Sequence, residues 1–346
     1  MTQLRPLYRC RPGLAVTLTL LVAAASSTAF AAEVLKANDV RQGLYSTCFV
    51  SDTEGWAVGD LGRIFHTTDA ANTWEVQSAG TKRPFVAVSC VDRNHVWAAG
   101  QAGQIARTTD GGKTWKMLDS GTDRQLLSLK MADLKVGIAV GDFGTILRTE
   151  DGGDTWTKIP VPTDIKLPED MEGIVEPGDI VLYSINFVDP EFVSAAGEFG
   201  VILVSTDGGR TFQARTSGVE TTLFGIFFSD RQRGWAVGME QSFVETRDGG
   251  ATWEKKSVKA PPGFSLALFD LEVRGNLGWA VGNSGYLLNS TDAGESWNLI
   301  DVPSGMASYW FREVSLLPSG KGFVVGASGL VLSLDGSSFK VHKDEL

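Results

Sequence analysis

The sequence predicts an all-β chain folded as a seven-bladed β-propeller of four-stranded antiparallel blades. Three observations lead there. A short apolar segment ending in Gly recurs seven times. The copies are spaced at about the length of one propeller blade. A turn motif of the form Ser/Thr-x-Asp-x-Gly-x-Thr-Trp follows most of the copies at a fixed distance.

The chain has 346 residues, of which 43% are hydrophobic and 21% charged, an ordinary balance for a folded domain. Residues 1–31 read as a secretory signal peptide. Arg5, Arg9 and Arg11 supply the positive start, Leu14 to Ala25 an apolar run too short to span a bilayer, and Ala29-Phe30-Ala31 a small-x-small cleavage site. Cys10 precedes the apolar run and is not placed as a lipoprotein cysteine. Residues 32–346 are then expected to form a single propeller domain. Without the three leader arginines, 28 basic side chains stand against 41 acidic ones, a net charge of −13. That balance argues against nucleic acid and anionic lipid as main partners. The last four residues, Lys343-Asp344-Glu345-Leu346, match an endoplasmic-reticulum retrieval signal, which has meaning only in a eukaryote. In a bacterium the expected location is the periplasm or the exterior.

The seven copies end at Gly59, Gly100, Gly141, Gly197, Gly238, Gly282 and Gly326, with spacings of 41, 41, 56, 41, 44 and 44. Each supplies the same four strands. Strand a is a β-rich run such as Phe85–Val91. Strand b is the Trp-Ala-Val-Gly segment, whose small residues allow close approach. Strand c follows a Gly turn, and strand d starts at the last aromatic of the motif. Every Trp except Trp310 belongs to the repeat, so these residues are core and not a ligand stack. Glu33–Val40 is a candidate to extend the last blade.

The motif between strands c and d is the Asp-box, with Asp69, Asp110, Asp151, Asp207, Asp248, Asp292 and Asp335 as its acidic residues. The first copy lacks the Gly and the seventh is one residue short. The expected role is mechanical: Asp accepts backbone N–H groups and pins the turn, and Gly supplies a conformation that side chains resist. Residues 157–182 break the period. With four Pro and six acidic residues they predict an exposed loop inserted between blades 3 and 4.

The combination Trp-Ala-Val-Gly, Gly-x-Ile-x-x-Thr and Asp-Gly-Gly-x-Thr-Trp resembles the photosystem II assembly and stability factor family, seven-bladed propellers with bacterial relatives. The resemblance covers about residues 40–342. It implies a non-enzymatic protein that binds a membrane-protein partner, or an exported segment of one, during assembly. It implies no cofactor. A monomer is expected.

In a propeller the b–c turns and d–a loops open on one face, here called the upper face. Arg41, Arg83 and Arg124 precede strand a of blades 1, 2 and 3, at 18, 17 and 17 residues before the blade Gly, with Lys82 beside them. Adjacent blades would gather them into a positive patch on an acidic protein, suited to carboxylates of a peptide. Asp142 and Arg148, individual to the third copy, complete the candidate partner-binding surface. Arg148 also shares its repeat position with His66 and Arg107, which points to a polar group between blades. The b–c turns carry Asp60, Gln101, Asp142, Glu198, Glu240 and Asn283. Such a ring offers oxygen ligands, but these are ordinary turn residues and no metal is assigned. The residues leave open a glycoside hydrolase or sialidase that would draw on Asp60, Asp142 and Glu198. Cys48 and Cys90, on strand a of blades 1 and 2, lie 11 and 10 residues before the blade Gly; opposite parity turns them toward each other and makes a disulfide possible.

Overall fold

A computed structural model describes residues 33–260 and 266–343. The leader and its cleavage site lie outside the described residues, as do the last three positions of the terminal tetrapeptide. Seven antiparallel sheets follow one another along the chain, each with strands a to d in sequence order from the axis outward. Blade 3 is typical: Leu126–Met131, Gly137–Gly141, Thr145–Thr149 and Thr157–Lys158.

Among the described residues the ring closes without strand exchange. Blade 7 is built wholly from residues 311–341. The N-terminal strand Val34–Lys36 does not extend the last blade; it pairs with Thr73–Glu75 as a fifth, outermost strand of blade 1. Packing makes the seam instead. Phe49 stacks on Phe323 with ring centroids 3.6 Å apart, and Lys321 meets Asp52 at 3.2 Å. The apolar run of blade 1 is already satisfied by blade 7, so the terminal strand covers an exposed edge.

The Gly that ends strand b has one physical reason in all seven blades. A Cβ there would collide with the carbonyl oxygen of the residue before strand a, such as Gln125 at Gly141 or Gly43 at Gly59. The residue after the Gly donates its N–H to that same carbonyl, as Asp142 does to Gln125 at 3.1 Å.

Six Asp-boxes share one hydrogen-bond pattern. At Asp151, Oδ1 accepts the Thr155 N–H at 2.9 Å and the Thr149 hydroxyl at 2.8 Å, and Oδ2 accepts the Thr155 hydroxyl at 2.6 Å. The Thr155 hydroxyl and the backbone hydrogen bonds hold Asp151 down to about 2. Asp69 makes the same bonds although its box lacks Gly; Ala70 and Ala71 take the positive φ instead. Asp335 is different. Its strand continues to Asp335 and turns through Gly336 into Ser338–Val341, a tight hairpin. One residue too few leaves no room for the box.

In two blades the strand b Trp donates to the c–d turn of the next: Trp97 Nε1 to Gly152 O at 2.8 Å and Trp279 Nε1 to Gly336 O at 3.1 Å. Blade 3 has Ile138 at that position, and Arg148 takes over the task. It is buried and donates Nε–H to Gly208 O at 2.7 Å.

Residues 157–182 are less free than their Pro and charge content implies. Thr157–Lys158 is still strand d and Leu182 already opens strand a of blade 4. Ile159 and Ile180 are buried, and Val161, Ile165, Leu167 and Val175 pack on the cluster between blades 3 and 4. The segment is amphipathic: its acids face water while its aliphatic residues, Ile174 apart, cap a core.

Along the axis, side chains of strand a bridge to backbone N–H groups of the next blade: Ser89 to Met131 at 3.0 Å, Asn186 to Phe228 at 3.1 Å, Glu272 to Leu316 at 2.7 Å. Cys48 and Cys90 occupy the same pair of positions between blades 1 and 2, with Cα atoms 6.0 Å apart and their sulfurs joined. Intact mass under non-reducing conditions should fall about 2 Da below that of the reduced chain. Reduction should then lower the unfolding free energy by roughly 4 kcal/mol, the loop-entropy value for this separation.

Candidate site on the upper face of blades 1 to 3

The loops that carry the cations are built alike. Thr81 Oγ accepts the Arg83 N–H at 3.1 Å, and Thr122 Oγ accepts the Arg124 N–H at 3.1 Å. Gln104 reaches up from strand c and donates to Arg83 O at 2.9 Å and Pro84 O at 2.7 Å. The backbone under the arginines is therefore fixed while the side chains stay outside. Arg41, Lys82, Arg83 and Arg124 are all exposed. Lys343, described at the end of blade 7, adds a fifth cation that the sequence argument did not include. Its burial, and then the nearby Arg41 charge, push its pKa down.

The b–c turns bring apolar side chains to the same face. Leu61 and Phe143 adopt positive φ, 61° and 53°, and are 58% and 49% exposed. Holding a non-Gly residue there costs on the order of 1 kcal/mol, and exposing a large apolar group gains nothing in folding. The Arg124 guanidinium lies 4.1 Å from the centre of the Phe143 ring. Burial raises the pKa of Asp142, and the Arg124 charge opposes the rise.

One expected member of the site goes elsewhere. Arg148 lies at the far end of strand c, beside the Asp-box turns, with its guanidinium on Gly208 and Glu150. It belongs with Arg107, which donates to Gly152 O at 2.8 Å, and His66, which stacks on Trp56 at 4.5 Å. These are groups between blades. Three of the six b–c turn residues have structural partners as well. Asp60 accepts Gly43 N–H at 3.0 Å and the Tyr45 hydroxyl at 2.8 Å; Glu198 accepts Val181 N–H at 2.9 Å; Asn283 accepts Ala267 N–H at 2.9 Å. Two of the three carboxylates that a glycosidase would draw on are thus engaged in pinning loops.

The central channel holds charges that the repeat alignment passed over. It encloses about 1140 Å³ and is lined by Lys130, Asp270, Glu272, Arg312 and Glu313 among others. Lys130 pairs with Glu313 at 3.1 Å and Arg274 with Glu272 at 2.7 Å. Burial, reinforced by Glu313, pushes Asp270 up to about 8. The folded chain then keeps a proton that the unfolded chain has released. This term favours folding at low pH and is lost as pH rises through the folded value. Asp270→Asn, which retains an acceptor for the Val314 N–H, should therefore gain on the wild type in melting temperature as pH rises from about 5 to 9. The difference should widen by several degrees, roughly 5–10 °C, between the two pH values, read by thermal denaturation at both.

Comparison with known proteins decides the family. The family described as "Photosynthesis system II assembly factor YCF48" matches residues 68–181 and 214–308, more than half of the chain. The chain belongs to this family. Two solved structures are similar. "YCF48 from Cyanidioschyzon merolae" has a TM-score of 0.70 at 22% identity, covering 88% of this chain and 99% of that one. "YCF48 bound to D1 peptide" has a TM-score of 0.68 at 22% identity, covering 88% and 96%. At that identity the likeness speaks to the seven-bladed fold. The "Photosystem II assembly lipoprotein Ycf48" of Prochlorococcus marinus (strain MIT 9312) is 26% identical over 83 residues, a stretch that spans 24% of each chain. The family is one of assembly factors and is not described as enzymatic.

Proposed function

We propose that this protein is a non-enzymatic assembly or accessory factor that captures an acidic segment of a membrane-protein partner on the upper face of blades 1 to 3. One observation carries the reading. Arg41, Lys82, Arg83 and Arg124 stand exposed on the same face as the strained apolar tips Leu61 and Phe143. Guanidinium groups meet carboxylates in paired hydrogen bonds, and the apolar tips supply area that excludes water around them. Family membership supports a partner of this kind, as does a solved family member described as bound to a peptide. The leader-like residues 1–31 and a relative described as a lipoprotein support action on the outer side of the cytoplasmic membrane or in a lumen. The chain acts there as a monomer.

Cross-linking in the native envelope, followed by mass spectrometry, tests the proposal. The expected product joins residues of the d–a loops of blades 1 to 3 to an acidic segment of a membrane protein. Cross-links confined to the Asp-box face would overturn it.

A further inference from the structure

The second residue of strand a is displaced by a β-bulge in every blade, for the register shifts between the first and third residues of each such strand. The bulge turns these seven residues toward the axis, where they line the channel below the upper face. Six of them are uncharged: Tyr45, Val86, Leu127, Tyr183, Phe224 and Phe269. The seventh is Arg312. Three of the aromatic residues form a continuous wall, Tyr183 on Phe224 at 5.0 Å and Phe224 on Phe269 at 5.5 Å, and the Arg312 guanidinium lies 5.3 Å from the Phe269 ring centre.

We propose that this channel mouth binds a carboxylate carried on an apolar body, with Arg312 and Tyr183 holding the carboxylate and Phe224 and Phe269 holding the body. Arg312 has no hydrogen-bond or ion-pair partner among the described residues, and neither has the Tyr183 hydroxyl. Other polar groups of the channel are spoken for. The Tyr45 hydroxyl donates to Asp60. Glu313 is held by Lys130, Glu272 by Arg274 and the Leu316 N–H, and Asp270 by the Val314 N–H. Burial pushes Asp270 toward its protonated form, which weakens its pull on Arg312. Asp142 and Glu198 approach Tyr183 from the turns above, with Glu198 bound to Val181 N–H and Asp142 countered by Arg124.

A guanidinium with unspent donors, half-buried against aromatic faces, is the recognition element for a planar anion, because its fork matches both carboxylate oxygens. A wall of three aromatic rings around a few polar groups is the usual composition of a ligand pocket. A cationic ligand is disfavoured, since Arg312 already occupies the aromatic face a cation would use. The ligand can be a free aromatic or aliphatic acid or the terminal residue of a peptide; the chemistry at Arg312 is the same.

The probes are N-acetyl-L-phenylalanine and its amide, and an N-acetylated tetrapeptide ending in Phe with a free or amidated terminus. Each is titrated into the purified chain by calorimetry, with melting temperatures recorded for every variant. At least one free acid should bind, ten-fold or more tighter than its amide. Arg312→Met should abolish that preference with an unchanged melting temperature, Arg312→Lys should restore part of it, and Tyr183→Phe should weaken binding several-fold. Binding by the tetrapeptide acid alone assigns a chain terminus, and binding by the small acid alone assigns a free metabolite; both support the site. Equal affinity for acid and amide, no binding by any probe, or full binding by Arg312→Met would overturn it. This site stands apart from the rim reading. A chain with Arg41, Arg83 and Arg124 changed to Glu should still take whichever acid the parent binds, and loss of that binding in the variant would move the site to the rim and refute the proposal.

Discussion

Changing Arg41, Arg83 and Arg124 together to Glu should weaken partner capture on the order of 100-fold or more, while the melting temperature stays within about 2 °C of the parent. The two halves of this expectation rest on the same observation. None of the three side chains donates a hydrogen bond to another described residue, and all three are exposed. The loops of Arg83 and Arg124 are held by Thr81, Thr122 and Gln104 through the backbone, so the fold there does not depend on the guanidinium groups. A surface change of that kind is usually within half a kcal/mol of neutral. Each exposed ion pair with a partner contributes up to about 1 kcal/mol, and reversal replaces attraction with repulsion at three neighbouring points. Most of the loss should appear in the association rate and should shrink as salt rises. Affinity measured against ionic strength checks this; full capture by the triple variant would remove the rim from consideration. Arg→Lys at the same positions should keep the salt dependence and lose only the affinity owed to paired hydrogen bonds.

Trp97→Ala should destabilise the chain by about 3–5 kcal/mol, the range for truncating a buried aromatic residue. Trp97 is 1% exposed, sits in the cluster between blades 2 and 3, and donates to Gly152 O in the next blade. Its loss empties a large volume against two sheets that cannot collapse, because the ring fixes their spacing. Trp97→Phe should cost clearly less, roughly 1–2 kcal/mol, since it keeps most of the apolar contact. Arg107 also still donates to the Gly152 carbonyl. Equilibrium unfolding in denaturant separates the two variants. Equal losses would mean that the hydrogen bond to Gly152, and not the volume, dominates.

Much of the fold was legible because a propeller is periodic. The strand b Gly shows why. One steric fact, a carbonyl pressed against its Cα, repeats seven times and stamps the same letter at each spacing. The Asp-box is legible for the same reason, since its Asp accepts the same three donors in six blades. Asp335 fell outside because one missing residue converts the box into a hairpin.

The candidate site was legible in part. Arg41, Lys82, Arg83 and Arg124 were visible as a periodic placement on matching loops. Leu61 and Phe143 were not, because nothing in a Leu or Phe within an apolar chain says that its backbone is left-handed and its side chain in water. Arg148 was readable both as part of the patch and, from the repeat position it shares with His66 and Arg107, as a group between blades; its burial and its bond to Gly208 decide for the second. Arg312 was within reach: aligning strand a on its second residue leaves a single charge in a column of aromatic and aliphatic residues.

What the sequence determined by itself is everything enforced locally and repeated: seven blades, four strands each, the pinned turns, and which loops share a face. Only the tertiary structure decided how the ring closes, where the N-terminal strand pairs, how the insertion folds onto blades 3 and 4, and which charges meet in the channel. Those outcomes depend on contacts between residues far apart in the chain, such as Lys130 with Glu313 and Phe49 with Phe323. Closing the ring creates such contacts, and no period in the sequence records them.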